Sequence, residues 1–600
     1  MPIANNKRIE ESATSALKTS LLKCGFIDSY IDTNDKTPSW DGTVFVYTDL
    51  RQKKEDLLGR VPIQVKGTGN RIISDQASYS CEMADLKNYY NDGGCIFFLV
   101  SVDPSDGWNK IYYVSLLTYD LADILKKAGN QKSYTIHLKT FPSDNANEIA
   151  NLFMSFVDNM RKQMSFIGKD ILSLEELQEK GLLIDQLSFS TSGVGVERSD
   201  LEKHISTHDF YLYAHIKGLD VDIPVDKITN AVVSRKVNGA VAIKNTEYYP
   251  SYNVIFDKGI PFLQIGKGIK IVLPSIGETG NMEYRPTGTL SDFIHDASCY
   301  IAIIENKEIT LNGIRIPFNN LNDINLEEYH HSLSYFKDVK KMLDILGVTE
   351  ELDCAQIREI DEKNIRNFVK ATLYGKKVGF FGVDAPVIHG PFTIANLVIQ
   401  IWATKQKNGM YSLGSFFEDH PIAMFAADDT ELKNPMTATQ YLLLKENDFV
   451  HTSNMDYDKI IEGIIKSHNA KLVIDHTILL LLRMLKGYDM QENKDERLLE
   501  LAEKTCQWIV ATDSSADADN MLLNRMQIVK RKRELNIDEI IMLAELIKKD
   551  KHASIRCGAY LLLGNNSKAQ SCFNELESWM QKEFLTYPIC IFGQLEKTEA

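Results

Sequence analysis

Two short runs rich in β-branched and aromatic residues constrain the fold of the first part of this chain most strongly. The first run begins two residues after Asp41, and the second ends on Gln64-Val65-Lys66. Runs of this composition favour β-strands, and the polar residues 49–59 between them are typical of a connection. If the strands pair antiparallel, the start of the first lies beside the end of the second. The pattern therefore predicts that Asp41 meets the end of the second strand at one end of a hairpin.

The side chains expected at this point suit a hard divalent cation beside a phosphate group. Asp41 offers a carboxylate, Gln64 an amide oxygen and Lys66 an ammonium group. Oxygen ligands hold Mg²⁺, and a lysine nearby neutralises negative charge. Taken singly, each residue has an ordinary structural interpretation, because Asp41 suits a turn and the other two suit a solvated strand face. Their combination predicts a metal site.

An acidic helix before the hairpin completes a pattern that resembles the PD-(D/E)XK, or restriction-endonuclease-like, nuclease superfamily. Residues 7–24 carry Glu10 and Glu11 and have apolar side chains at helical spacing, and Gly25 ends them. This segment is similar to the opening helix of a domain type found in bacterial antiphage defence proteins. The resemblance covers residues 1–165, with the final motif of the superfamily in its Gln-x-Lys form.

The resemblance implies a role for each residue of the site. The catalytic residues would be Glu11, Asp41, Gln64 and Lys66. The metal ligands would be Glu11, Asp41, Gln64 and the carbonyl of Val65, and the cofactor would be Mg²⁺ or Mn²⁺. Lys66 would orient or stabilise the attacking hydroxide, or polarise the phosphate. Glu10 is the alternative to Glu11, since adjacent helical residues point about 100° apart. Gln64 stands where an acidic residue is commoner and removes one negative charge.

The function implied by the resemblance is metal-dependent phosphodiester hydrolysis, with DNA as the substrate of an endonuclease that acts in bacterial antiphage defence. Two alternatives are left open. One is a catalytically inactive nuclease fold that acts as a sensor or binding protein, which Gln64 supports. The other is an RNase, or a nuclease specific for a single-stranded substrate, because the chain has no recognisable base-reading motif that would separate DNA from RNA.

The charge of the chain lies almost wholly outside the nuclease-like region. The formal net charge is −15, whereas residues 1–165 contain 19 Lys or Arg and 20 Asp or Glu. A dedicated nucleic-acid wrapper is expected to be basic, so the acidic part suits regulation better than DNA binding. A protein partner or a phage-derived activator is expected there, and a homo-oligomer is left open.

Cysteine usage and hydropathy predict a cytoplasmic protein with no membrane partner. The nine cysteines form no Cys-x-x-Cys pair, which is typical of buried thiols in a reducing compartment. The first residues lack the apolar core of a signal peptide. The most apolar segment, residues 472–485, contains charged residues and is too short to span a bilayer, so a buried helix is predicted.

The predicted fold class is multidomain α+β, with an α/β restriction-endonuclease-like domain at residues 1–165. Residues 166–325 are predicted to be β-rich and sandwich-like. The strands expected there are 209–216, 231–243, 252–256, 269–273, 300–304 and 309–314. Residues 326–455 form a mixed α/β region, with helices and a strand near 395–403. Residues 456–600 are expected to be α-helical.

Two weaker patterns complete the sequence. Tyr560, Gly564, Ala569 and Phe573 have spacing similar to half of a tetratricopeptide repeat, but the match is single, and a plain helical bundle is the favoured interpretation. His204 and His208 have the i,i+4 spacing of a two-histidine metal site. They lack the glutamate of the zincin motif, and no third ligand can be named from the sequence, so metal binding is disfavoured.

Overall fold

The computed structural model describes most of the chain. The described residues are 6–32, 38–218, 221–272, 281–318, 325–379, 384–426, 433–468, 470–513, 518–549 and 552–596. Contacts divide the chain into two compact units. Unit 1 comprises Met1–Asn238, Ser251–Gln264 and Lys270–Met282, and unit 2 comprises Gly239–Pro250, Ile265–Ile269 and Glu283–Ala600. The architecture is multidomain α+β, as the sequence predicts, while the division into four regions stays a prediction.

The nuclease-like part of unit 1 is a mixed sheet flanked by helices. Its elements are α1 (Asn6–Leu21), β1 (Ile27–Ile31), β2 (Gly42–Tyr47), β3 (Leu57–Thr68), β4 (Gln76–Glu82), α2 (Met83–Asn91), β5 (Gly94–Asp103), β6 (Trp108–Leu117), α3 (Thr118–Ala128), β7 (Ser133–Thr140) and α4 (Ala146–Gln163). The strand order is β1-β2-β3-β5-β6-β7-β4. The pair β3–β5 is parallel, and the other neighbouring pairs are antiparallel.

Alternation along β3 divides its side chains between two apolar cores. Val61, Ile63 and Val65 are buried in the core that contains α1 and α4. Gln64 points to the opposite face, where Tyr89 of α2 is buried. The strand β5 is buried along nearly its whole length, because helices cover both faces of the sheet at this point. The site residues on β3 therefore lie on a strand with an apolar core against each face.

The segment after α4 packs onto the first of these cores. It contains α5 (Leu174–Glu179), β8 (Ile184–Ser188), α6 (Leu201–Thr207), β9 (Phe210–Ile216) and β10 (Asp222–Ile228). The three strands are arranged in the order β10-β9-β8. Tyr211 and Tyr213 of β9 lie in the core of α1 and α4, and the Tyr213 hydroxyl donates to Asn159 Oδ1 at 2.8 Å. Residues on both sides of position 165 thus share one hydrophobic core.

The middle of the chain is β-rich, as predicted. Its strands are β11 (Val233–Ile243), β12 (Thr246–Asp257), β13 (Ile260–Ile265), β14 (Ile269–Val272), β15 (Asn281–Tyr284), β16 (Glu308–Leu311) and β17 (Ile314–Pro317). The run 309–314, predicted as one strand, is a hairpin of β16 and β17. Asn312 and Gly313 form its turn with φ of 48° and 82°, which asparagine and glycine adopt most readily.

The strand predicted at residues 300–304 is wrong, because these residues lie in the helix α7 (Leu290–Asn306). A short apolar run has the same composition in a buried helix and in a buried strand. The sequence signal for this helix is a capping box formed by Thr289 and Asp292, upstream of the apolar run. Asp292 N donates to Thr289 Oγ1 at 3.4 Å, and Thr289 N donates to Asp292 Oδ2 at 2.8 Å.

Removal of this cap should destabilise the protein measurably. We expect Thr289→Ala to lower the free energy of unfolding by about 1 kcal/mol, because one backbone N–H at the start of α7 loses its acceptor. Thr289→Ser keeps the hydroxyl and should retain most of the stability. Urea unfolding followed by circular dichroism measures both variants, and equal losses in the two would show that the cap contributes nothing.

The remainder of unit 2 is mostly helical. Its elements are α8 (Leu326–Ile345), α9 (Glu359–Tyr374), β18 (Val387–Ile394), β19 (Leu397–Lys405), β20 (Tyr411–Ser415), β21 (Ile422–Met424), β22 (Met436–Ala438), α10 (Tyr457–Lys466), α11 (Lys471–Met490), α12 (Glu496–Thr512), α13 (Ala518–Lys532), α14 (Ile537–Lys549), α15 (Ala553–Leu562), α16 (Asn566–Asn574) and α17 (Ser578–Phe584). This confirms the helical C-terminal region. None of the helices in the described ranges has the length and apolar character that a membrane span requires.

Candidate functional site

The antiparallel pairing of β2 and β3 places Asp41 opposite Gln64, as the sequence predicts. Gly42 pairs with Ile63, and the N–H of Asp41 donates to the Ile63 carbonyl at 3.1 Å. Only glycine fits at position 42, since a Cβ there would lie 2.3 Å from the Tyr30 carbonyl oxygen of β1. The pairing of β3 with β2 stops at Ile63, whereas the pairing of β3 with β5 runs from Ile63 to Thr68. Asp41 therefore lies just before β2 begins, beside the point where β3 extends past its pairing with β2.

Two donors hold the carboxylate of Asp41 in place. Gln64 Nε2 and the Val65 N–H both donate to Oδ2, the latter at 2.8 Å. The Gln64 side chain is 2 % exposed, and its Oε1 lies 3.5 Å from the Tyr89 hydroxyl. In this orientation Gln64 positions Asp41. An amide turned by 180° presents oxygen in place of nitrogen, and that is the orientation a metal ligand needs.

The electrostatics of the site favour a cation at Asp41. Burial raises the pKa of Asp41 above its ordinary value, and the negative charge of Glu10 acts in the same direction. The hydrogen bond from Val65 and the positive charge of Lys66 oppose this rise. A divalent cation beside the carboxylate would offset both the burial and the repulsion from Glu10.

Glu10 and Glu11 of α1 have different surroundings, and the charge of Glu10 is the one that acts on Asp41. Helix α1 packs closely on β3, since a Cβ at Gly67 would lie 3.1 Å from the Ile9 carbonyl oxygen. Glu10 follows Ile9 and acts on the pKa of Asp41. Glu11 instead lines a groove of about 1,060 Å³. Adjacent helical residues point about 100° apart, so the two side chains point in different directions.

Val65 and Lys66 complete the arrangement from β3. The carbonyl of a strand residue points to the same edge as its N–H, so the Val65 carbonyl faces the side on which Val65 N donates to Asp41. Lys66 lies on the same face as Gln64 and is partly exposed. Within the described ranges Lys66 forms no ion pair, although its charge acts on Asp41. Its ammonium group is therefore available to a phosphate.

These groups are of the kind that metal-assisted phosphate chemistry uses. Carboxylate and carbonyl oxygens bind Mg²⁺ or Mn²⁺, and the residues able to do so are Glu10, Asp41, Gln64 after an amide turn, and Val65. No family model, curated protein or solved structure matches this chain. The cofactor and substrate are thus expectations that rest on the chemistry of these residues and on the sequence resemblance.

A second group of metal-type ligands in unit 1 was not predicted as a set. It consists of Glu148, His204 and His208, called here the histidine cluster. One ligand atom from each residue lies within 4.8 Å of the others. The i,i+4 spacing of the two histidines brings their rings to 4.0 Å between centroids. Glu148 lies in the first turn of α4, 60 residues from His208, so no local pattern could have joined it to them.

Proposed function

We propose that the N-terminal part of unit 1 is a divalent-metal-dependent phosphodiester hydrolase that acts as a DNA endonuclease. The observation that carries the proposal is the placement of Asp41. Its carboxylate is held by Gln64 and Val65 just before β2 begins, where Glu10 and Lys66 act on its pKa. The order of acidic helix, Asp-Gly strand and Gln-x-Lys strand, which resembles the PD-(D/E)XK superfamily, supports the same function.

Each residue has a distinct part in the proposed reaction. Asp41, the Val65 carbonyl and Glu10 would hold Mg²⁺ or Mn²⁺, which when bound supplies a Lewis acid and lowers the pKa of water. Gln64 keeps the Asp41 carboxylate in place through its amide N–H. Lys66 stabilises negative charge on the phosphate as it is attacked in line.

Glu10 and Glu11 should differ in their effect on metal use. We expect Glu10→Gln to raise the Mn²⁺ concentration needed for half-maximal cleavage by about tenfold, because it removes a negative charge close to Asp41. Glu11→Gln removes a negative charge from the next residue, which lines a separate groove. It should leave the Mn²⁺ concentration for half-maximal cleavage unchanged. Metal titrations of cleavage measure both variants. Equal shifts would contradict the choice of Glu10.

The proposed biological role is that of an effector in bacterial antiphage defence. The nuclease-like region is nearly neutral, whereas the chain as a whole has a net charge of −15. The acidic remainder of the chain suits contact with a protein partner or a phage-derived activator better than contact with DNA. Regulation of the site by the acidic remainder is therefore part of the proposal, as is a cytoplasmic location. Whether the protein forms a homo-oligomer is left open.

Cleavage assays with the full chain test the function and separate it from the alternatives. Supercoiled plasmid, single-stranded DNA and RNA are incubated with wild type, Asp41→Ala and Lys66→Ala in Mg²⁺ or Mn²⁺. Cleavage of DNA by wild type alone supports the proposal, and cleavage of RNA alone supports the RNase alternative. Equal cleavage by all three proteins would rule out these residues, and no cleavage with or without phage lysate would favour the inactive binding protein.

A further inference from the structure

We propose that the histidine cluster is a second metal site, which binds a transition-metal ion of the Zn²⁺ or Co²⁺ class at the wall of a cavity in unit 1. The site uses Glu148, His204 and His208, none of which belongs to the proposed nuclease centre. It goes beyond the proposed function, since neither site requires the other.

Two of the three ligands lie on helices, and the third directly follows the second helix. Glu148 lies in the first turn of α4, where its N–H donates to the capping side chain of Asn145 at 3.2 Å. His204 lies on α6 and is 5 % exposed, and His208 follows the last residue of α6. The two imidazole rings are 4.0 Å apart between centroids. With one ligand atom of each residue within 4.8 Å of the others, a single ion can reach all three after small side-chain adjustments.

A hydrogen bond to the backbone orients the His208 ring as a metal ligand requires. The Nδ1–H of His208 donates to the His204 carbonyl at 2.8 Å, so Nε2 is the nitrogen that faces Glu148. A histidine that binds a metal almost always donates its other ring N–H to a carbonyl or carboxylate in this way. The Thr191 hydroxyl lies 3.2 Å from His204 Nε2, so the second ring also has a polar neighbour.

The donor set indicates which ion would bind. Two imidazoles and one carboxylate suit Zn²⁺ and Co²⁺, whereas Mg²⁺ and Ca²⁺ prefer oxygen ligands alone. Three protein ligands leave one coordination position open, as in sites that bind water or a small anion. Glu148 and His208 line a cavity of about 370 Å³, so the open position has room for such a ligand.

A lysine whose charge acts on Glu148 and His208 is itself paired with a carboxylate. Lys139 lines the same cavity, and its ammonium group pairs with Asp209 at 2.7 Å. Its positive charge is thereby offset by a carboxylate adjacent to His208. The alternative is that Glu148 and His208 form only an ion pair in the cavity wall. An ion pair between Glu148 and His208 alone would not explain why the His204 imidazole also lies within 4.8 Å of both residues.

Titration with Co²⁺ tests the proposal through its visible absorption. The full chain carries Asp41→Asn to exclude the nuclease centre and is stripped with a chelator before titration. We expect one Co²⁺ per chain with an absorption spectrum of imidazole and carboxylate ligation. Glu148→Gln and His208→Gln should weaken binding by about tenfold or more. His215→Gln, which alters another histidine–carboxylate pair of unit 1 with an Nδ1–Oδ1 distance of 3.0 Å to Asp222, should not.

A thermal shift provides a second readout that does not depend on how well a variant absorbs. Zn²⁺ should raise the melting temperature of the protein with Glu148 intact and leave that of Glu148→Gln unchanged, because a ligand that binds only the folded state stabilises it. Absence of Co²⁺ binding, or binding of equal affinity with and without Glu148→Gln, would overturn the proposal and leave the ion pair. In the chain that keeps Asp41, Glu148→Gln should retain nuclease activity. This readout distinguishes failure of the histidine cluster from failure of the nuclease centre.

Discussion

Asp41→Asn is expected to abolish metal-dependent cleavage while the protein stays folded. The asparagine has the same shape, and its side-chain oxygen can still accept from the Val65 N–H, which lies 2.8 Å from Asp41 Oδ2. The negative charge that would hold the cation is lost. Removal of one electrostatic group from such a centre lowers the rate by about 10²–10³-fold, and the central ligand should cost at least that much. Single-turnover cleavage rates measure the loss.

The same substitution should stabilise the protein when metal is absent. The pKa of Asp41 is raised in the folded state, chiefly by burial. A carboxyl group with a raised pKa stabilises the fold below its ordinary pKa of about 3.9, and this contribution is lost as the pH rises through the raised value. Asparagine has no such dependence. In a chelator, the melting temperature of Asp41→Asn should therefore exceed that of wild type by more at neutral pH than under acid conditions.

A melting temperature of Asp41→Asn below that of wild type at neutral pH would contradict this reading of the site. Lys66→Ala is the useful comparison, because it removes a positive charge that lowers the pKa of Asp41. It should destabilise the metal-free protein at neutral pH, in the opposite direction, while it also slows cleavage. Both variants should thus lose activity, but without metal Asp41→Asn should be more stable than wild type and Lys66→Ala less stable.

Gln64→Glu is expected to make the stability of the protein depend on a divalent metal. Gln64 is buried and donates to Asp41. A glutamate there loses the donor and brings a second carboxylate against the first. Without metal we expect a loss of about 2–3 kcal/mol, the usual range for a hydrogen bond to a charged group and the burial that accompanies it. With Mn²⁺ the two carboxylates share one cation, and binding to the folded state restores stability.

Gln64→Met provides the matched control for this prediction. It removes the same donor without adding charge, so its destabilisation should be the same in a chelator and in Mn²⁺. Melting temperatures of wild type, Gln64→Glu and Gln64→Met under both conditions measure the difference. If Mn²⁺ raises the melting temperature of Gln64→Glu no more than that of Gln64→Met, the glutamate is not beside a metal site.

Sequence reasoning succeeded at Asp41 and Gln64 because their meeting depends on local rules. Strand composition marks β2 and β3, and antiparallel pairing then fixes which ends meet. The choice between Glu10 and Glu11 cannot be predicted from the sequence by local rules. It depends on the rotation of α1 about its axis, which the close approach of Ile9 to Gly67 sets in three dimensions.

One wrong strand and one missed group of ligands have comparable physical causes. The run at residues 300–304 was predicted as a strand because apolar residues in succession do not distinguish a buried helix from a buried strand. The capping box at Thr289 and Asp292 is the sequence signal that would have identified α7. Glu148 could not be joined to His204 and His208, since the packing of α4 against α6 is tertiary and has no periodic signature.

Binding of Mn²⁺ in the absence of substrate tests most directly whether a metal centre lies at Asp41, since it needs no activator. Electron paramagnetic resonance measures free Mn²⁺ during titration of protein that carries Glu148→Gln, so that the histidine cluster does not contribute. We predict binding in this protein that Asp41→Asn weakens by about tenfold or more and that Glu11→Gln leaves unchanged. Mn²⁺ binding of equal affinity with and without Asp41→Asn would contradict the assignment of the site.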